Sequence, residues 1–155
     1  KTGSYDKKSR RDDSKKQKYI VKDLVAHPRS RMEATIIATA ESLLDCELPT
    51  VIYRGFELDG YCEKHKLAIE VQGPQHYKFA RTKDTLAEYR QRVISDVNKR
   101  KMCADEGIKF IAVYPLERIN YRRYLQSRLY DVGLITDRPP EYVPAFEPVP
   151  EVPVA

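Results

Sequence analysis

Residues 56–77, Phe-Glu-Leu-Asp-Gly-Tyr-Cys-Glu-Lys-His-Lys-Leu-Ala-Ile-Glu-Val-Gln-Gly-Pro-Gln-His-Tyr, place acids where a sheet gains nothing from them. From Leu67 the residues alternate with the period of a β-strand, Leu67, Ile69 and Val71 on one face and Ala68, Glu70 and Gln72 on the other. The stretch before it alternates likewise, turning Leu58 toward the core and Asp59 away from it. With Glu63, Lys64, His65 and Lys66 as the hairpin connection, Cys62 falls opposite Leu67 and Asp59 opposite Glu70. Like charges across an antiparallel pair repel, and two carboxylates that share a site cannot both ionise cheaply. A hard divalent cation, Mg2+ or Mn2+, offsets that cost, because it prefers oxygen ligands and keeps positions open for water and substrate phosphate. The same spacing also fits a solvent-facing hairpin edge whose acids are held apart by twist or neutralised by nearby lysines.

The elements that must position these acids follow from the flanking pattern. Ser30-x-x-Glu33 is a capping box, and the helix after it carries Met32, Ile36, Ile37, Ala40 and Leu43 or Leu44 at helical spacing. Glu33 therefore has a complete structural role as a cap. Residues 50–54 are β-branched and aromatic, the composition of a strand, and Gly55 separates them from the strand of Asp59. Gly73-Pro74 closes the hairpin. In the polar and aromatic segment 75–83, His76 follows Glu70 by six residues, and a neutral imidazole there can accept a proton from water. A long helix is expected from Thr82 or Lys83 to Glu106, with Leu86, Tyr89, Val93, Val97 and Ala104 on its apolar stripe and Asp96, Lys99 and Arg100 beside it. Gly107 ends it. Residues 109–114 read as a buried strand, and 119–134 as a final helix in which tyrosines alternate with Arg122, Arg123 and Arg128. A helix, three strands, a helix, a strand and a helix give an α/β sandwich with a mixed central sheet flanked by helices.

Leu-Asp-Gly-Tyr, then Leu-Ala-Ile-Glu-Val-Gln-Gly-Pro-Gln-His-Tyr, then a helix with Asp96, Lys99 and Cys103 before Gly-Ile-Lys-Phe-Ile, resembles the PD-(D/E)xK nuclease superfamily. The resemblance is nearest to the branch of the very-short-patch mismatch repair endonucleases and covers about residues 30–115. It implies a restriction-endonuclease-like fold and hydrolysis of phosphodiester bonds, DNA ahead of RNA. It also implies metal binding by Asp59, Glu70 and the carbonyl of Val71, and places His76 near the attacking water. Glu33 and Asp96 match acids of that branch's first and later helices. Gln72 stands at the superfamily's Lys position; it can orient a water but supplies no charge, and Lys99 reaching inward would provide what Gln72 lacks. Glu-Val-Gln-Gly-Pro-Gln-His is also similar to a stretch of RAP domains, proposed RNA-binding modules on the same scaffold. That similarity implies the alternative, a catalytically silent RNA-binding or structural subunit of a ribonucleoprotein assembly.

Composition bounds these readings. A chain of 155 residues with 41% hydrophobic content fits one domain, read as residues 19–135, between a basic arm (1–18) and a proline-rich acidic tail (136–155). The arm, with Lys7, Lys8, Arg10, Arg11, Lys15 and Lys16 among its eight cations against three Asp, carries a net +5, equal to the whole chain's +5. Such an arm, with Arg122 and Arg123, suits phosphate contacts of DNA or RNA; it equally describes a solvated tail. Residues 19–26 have a short apolar rhythm that would dock the arm, and His27-Pro28 breaks it. The tail holds six of the ten prolines and reads as extended polyproline-type chain. The tail lacks the apolar mass to fold alone, so a protein or ribonucleoprotein assembly is a candidate partner to hold the two tails. No apolar run reaches the roughly 18 residues of a membrane span, and no signal-peptide pattern appears. Cys46, Cys62 and Cys103 form no Cys-x-x-Cys pair, which indicates neither a disulfide framework nor a zinc site. Reduced, partly buried cysteines point to an intracellular compartment: nucleus, organelle or cytoplasm.

Overall fold

In the computed structural model, which describes residues 19–21, 29–115 and 119–153, Asp59 is where the chain changes sheets. The elements are β1 (Tyr19–Val21), α1 (Arg31–Leu44), β2 (Val51–Tyr53), β3 (Phe56–Leu58), β4 (Gly60–Cys62), β5 (Leu67–Val71), α2 (Leu86–Asp105), β6 (Lys109–Val113) and α3 (Tyr121–Asp131). A single 3-10 turn, Pro74–His76, lies between β5 and α2. The cations of the arm, Lys7, Lys8, Arg10, Arg11, Lys15 and Lys16, lie outside the described residues, as do His27-Pro28.

Two small sheets result. One is antiparallel, in the order β1-β2-β3, and the other is mixed, β4-β5-β6, with β4 antiparallel and β6 parallel to β5. The expected single run of three strands is thus corrected. Its interruption has a local cause: the Asp59 carbonyl accepts from Arg29 Nη2 (2.9 Å) and Thr50 Oγ1 (3.1 Å), and the Tyr61 amide turns to the Pro49 carbonyl (2.9 Å). β2 and β3 are joined by Arg54 and Gly55, both at positive φ (47° and 83°), which suits the right-handed twist of a two-residue hairpin. In the second hairpin the register is the one the pattern predicts, Cys62↔Leu67, Tyr61↔Ala68 and Gly60↔Ile69. Its continuation brings Asp59 beside Glu70.

Both faces of the mixed sheet are covered. Leu67, Ile69, Ile111 and Val113 pack with Ile36, Ile37 and Ala40 of α1 and Tyr124, Leu125 and Leu129 of α3. On the other face Ala68 and Tyr61 pack with Met102 and Cys103 of α2 and with Val51, Tyr53 and Leu58 of the first sheet. Fully burying side chains such as Leu67 and Ile69 contributes about 1.5–3 kcal/mol each. Gly60 permits the close approach of α1: a Cβ there would stand 2.8 Å from Ile37 Cδ1.

Ser30 Oγ accepts from the Glu33 amide (3.2 Å), capping α1 as its sequence predicts. Met32, expected in the core, is 47% exposed, because it lies in the first turn and meets the Tyr121 hydroxyl (3.8 Å) rather than the sheet. α2 starts a few residues later than the pattern suggests, where Thr85 Oγ1 caps the Glu88 amide (3.1 Å). Its inward stripe also differs. Val97 is 59% exposed and Ala104 is exposed, while Tyr89, Asp96, Lys99 and Cys103 turn toward the sheet. These positions recur at helical spacing, and the middle of the stripe is polar because it faces the acids of β5.

The tail packs against the domain. Ser127 Oγ accepts from the Val143 amide (2.9 Å), the Phe146 amide donates to the Tyr124 hydroxyl (3.2 Å), and the Glu151 amide donates to the Tyr77 carbonyl (2.8 Å). Arg128, which alternates with the tyrosines of α3, is buried between the rings of Tyr124 and Tyr142, at 5.0 and 5.4 Å from their centres. Arg122 and Arg123 remain exposed, Arg123 paired with Glu141.

Candidate active site

Glu70 is 3% exposed and Asp59 half-buried, and each carboxyl acts on the other electrostatically. Each is also held by the other strand's backbone: the Asp59 amide donates to Glu70 Oε1 (3.0 Å) and the Val71 amide to Asp59 Oδ2 (2.9 Å). Burial, with the neighbouring Asp59 charge, pushes the Glu70 carboxyl from 4.5 up to about 8, against the opposing pull of Lys99. Burial raises Asp59 as well, opposed chiefly by the Val71 amide and by Lys99. Paired acids in this state share protons, and removal of those protons requires a compensating cation.

Lys99 is that cation in part. From α2 its Nζ lies 3.2 Å from Glu70 Oε2, with 14% of its side chain exposed. Lys99 therefore reaches inward, and it does so from the helix that connects β5 to β6. One turn earlier on the same helix, Asp96 Oδ2 is 2.7 Å from His76 Nδ1. A carboxylate on one ring nitrogen fixes the imidazole's orientation and leaves Nε2 to act.

His76, Asp96, Gln72 and Arg100 line a cleft of about 310 Å³, with the tail segment Glu147 to Pro150 as its opposite wall. Gln72 is buried at the end of β5, its amide on the Val113 carbonyl (2.8 Å). Arg100 lies over the Phe110 ring (4.7 Å), donates to the Tyr114 hydroxyl (2.9 Å) and pairs with Glu147 (3.3 Å).

The structure thus brings together Asp59, Glu70, Val71 and Lys99; Gln72, His76 and Asp96 line the cleft, joined to that group along β5 and by Asp96 lying one turn before Lys99 on α2. Glu33 is linked to this corner through Arg29, whose Nε is 3.9 Å from Glu33 Oε1 and whose Nη2 holds the Asp59 carbonyl. Arg122 and Arg123 lie on α3, which packs on the sheet face opposite α2. Sequence reasoning missed Arg29, and it missed the tail wall; neither carries a local signal. It also took the cysteines as unrelated. Cys46 and Cys62 instead meet, together with His65, their ligand atoms all within 4.8 Å of one another. Burial and Cys62 push the Cys46 thiol up to about 12.

No family model matches this chain, and no solved structure matches it. The chain is similar to an uncharacterized protein, 307L, of Invertebrate iridescent virus 6, with 34% identity over 83 residues, 51% of this chain and 40% of that protein. It spans less than half the length of that relative. Among the described residues no helix is long and apolar enough to cross a membrane.

Proposed function

We propose that this chain is a metal-dependent nuclease that hydrolyses phosphodiester bonds of nucleic acid within a restriction-endonuclease-like fold, DNA ahead of RNA. The observation that carries the reading is the convergence of Asp59 and Glu70 on one face of the hairpin with Lys99 on Glu70, and the His76–Asp96 pair one turn further along α2. The buried acid pair fits a hard cation. Asp59, Glu70 and the Val71 carbonyl would hold Mg2+ or Mn2+, which when bound polarises a phosphate and lowers the pKa of water. His76, oriented by Asp96, takes the proton from the attacking water through Nε2. Gln72 orients that water without supplying charge. Lys99 and Arg100 meet the negative charge that grows on the phosphate, and Glu147 must leave Arg100 for a substrate phosphate to pair there.

A second reading is favoured by one contact. Lys99 already occupies the Glu70 carboxyl, and with Gln72 at the Lys position the scaffold also suits a catalytically silent RNA-binding module of the RAP type or a structural subunit of a ribonucleoprotein assembly. Labelled DNA and RNA, single- and double-stranded, incubated with Mg2+, Mn2+ or EDTA, separate the two. The nuclease reading expects divalent-dependent cleavage that is lost in Asp59→Ala. Binding that survives Asp59→Ala and weakens with salt, without cleavage under any condition, would refute it in favour of the second.

A further inference from the structure

Cys62 closes β4 opposite Leu67, and three residues on, His65 stands in the hairpin connection. Cys46 arrives from a different part of the chain. α1 ends at Leu44, and Asp45 adopts a left-handed conformation (φ 50°) that turns the chain so that Cys46 packs against the core. A short loop then leads to Leu48, whose amide donates to Glu41 Oε2 (2.8 Å). The end of a helix, the end of a strand and a hairpin loop therefore present two sulfurs and an imidazole to one point.

We propose that Cys46, Cys62 and His65 form a site for a thiophilic divalent cation, zinc being the ion that fits. Zinc takes thiolate and imidazole ligands at about 2.3 and 2.0–2.1 Å, so in a tetrahedral site the ligand atoms lie roughly 3.5–3.8 Å apart. The three atoms here are within 4.8 Å of one another in the absence of an ion, which leaves at most about 1 Å of closure for side chains to supply. Cys62 is buried and Cys46 and His65 are half-buried, so the point they share is open to solvent on one side. Soft sulfur donors reject magnesium, which separates this site chemically from the acid pair at the hairpin's other end. Three protein ligands leave one tetrahedral position for water. Metal here would clamp α1 to the β4–β5 connection and so stiffen the hairpin that carries Asp59 and Glu70.

The test is titration of the full chain, stripped with chelator and kept reduced, with Co2+ and then Zn2+. The expected result is a thiolate-to-cobalt charge-transfer band, with the intense visible bands of a tetrahedral site, that saturates at one equivalent of cobalt and is lost when zinc displaces it. Cys46→Ser and Cys62→Ser should each abolish tight binding. His65→Ala, a loop substitution that leaves the core untouched, should weaken it by at least about tenfold, and Cys103→Ser should leave it unchanged. Absence of the charge-transfer band at stoichiometric cobalt would overturn the proposal. So would full affinity in His65→Ala, or a Cys46–Cys62 disulfide that zinc fails to protect against. None of these readouts depends on nuclease activity.

Discussion

Replacing Glu70 by Gln tests the acid pair without reference to catalysis. Its carboxyl titrates near 8 in the folded protein and near 4.5 when unfolded, so the native state holds a proton that the unfolded chain gives up. Stability from this group is fully present below about 4.5 and is lost as pH rises through about 8. At about 1.4 kcal/mol for each tenfold change in proton activity, the ceiling is on the order of 5 kcal/mol, and the part exercised between about pH 6 and 8 is ~2 kcal/mol. For a domain of this size that corresponds to a fall in Tm of roughly 5–10 °C. Glu70→Gln keeps the shape and an acceptor for the Asp59 amide but has no proton to lose. Thermal unfolding with a chelator present, run across pH in both proteins, should show the decline in the wild type and a much flatter profile in Glu70→Gln, which becomes the more stable of the two near pH 8. Mg2+ should flatten the wild-type profile as well. Parallel profiles for the two proteins would refute the reasoning.

Lys99→Met removes the cation that opposes Glu70, so it should cost little near pH 5.5, where Glu70 already holds its proton, less than about 1 kcal/mol near pH 8, and about 1.4 kcal/mol more for each further pH unit; chemical denaturation across that range measures this. His76→Ala should lower divalent-dependent cleavage by about 10²–10⁴-fold with little change in nucleic-acid affinity, as read from single-turnover rates beside filter binding. Asp96→Asn, which loosens the imidazole without removing it, should lower the same single-turnover rate by less than His76→Ala does. Glu147→Ala frees Arg100 and should tighten binding of a short labelled duplex several-fold at low salt, the gain shrinking as salt screens it.

What was legible in the sequence was whatever is fixed within a few residues. The hairpin register followed from alternation and from the four-residue connection, and that alone placed Asp59 beside Glu70. The Ser30 cap was equally local. The apolar stripe drawn on α2 failed because it counted Val97 and Ala104 as inward when the helix presents Asp96 and Lys99 to the sheet. Hydrophobic periodicity cannot find a face whose burial is driven by ion pairing. Thr85-x-x-Glu88 is the local signature that starts α2, a few residues after Thr82 or Lys83. The meeting of Cys46 with Cys62 depends on how α1 docks, the switch of sheets at Asp59 depends on Arg29, and neither pairing has a signature in composition or spacing.

The parallel pairing of β6 with β5 has a consequence for the order of assembly. A hairpin can close as soon as it leaves the ribosome, but the second edge of β5 has no partner until the chain has run through all of α2 and returned. During that interval the nascent chain holds two crowded acids and an open row of amides and carbonyls, the kind of edge on which strands of other molecules add. The same return that seals the edge delivers Lys99. A chain interrupted before residue 99 would therefore be both over-charged at its centre and adhesive at its side.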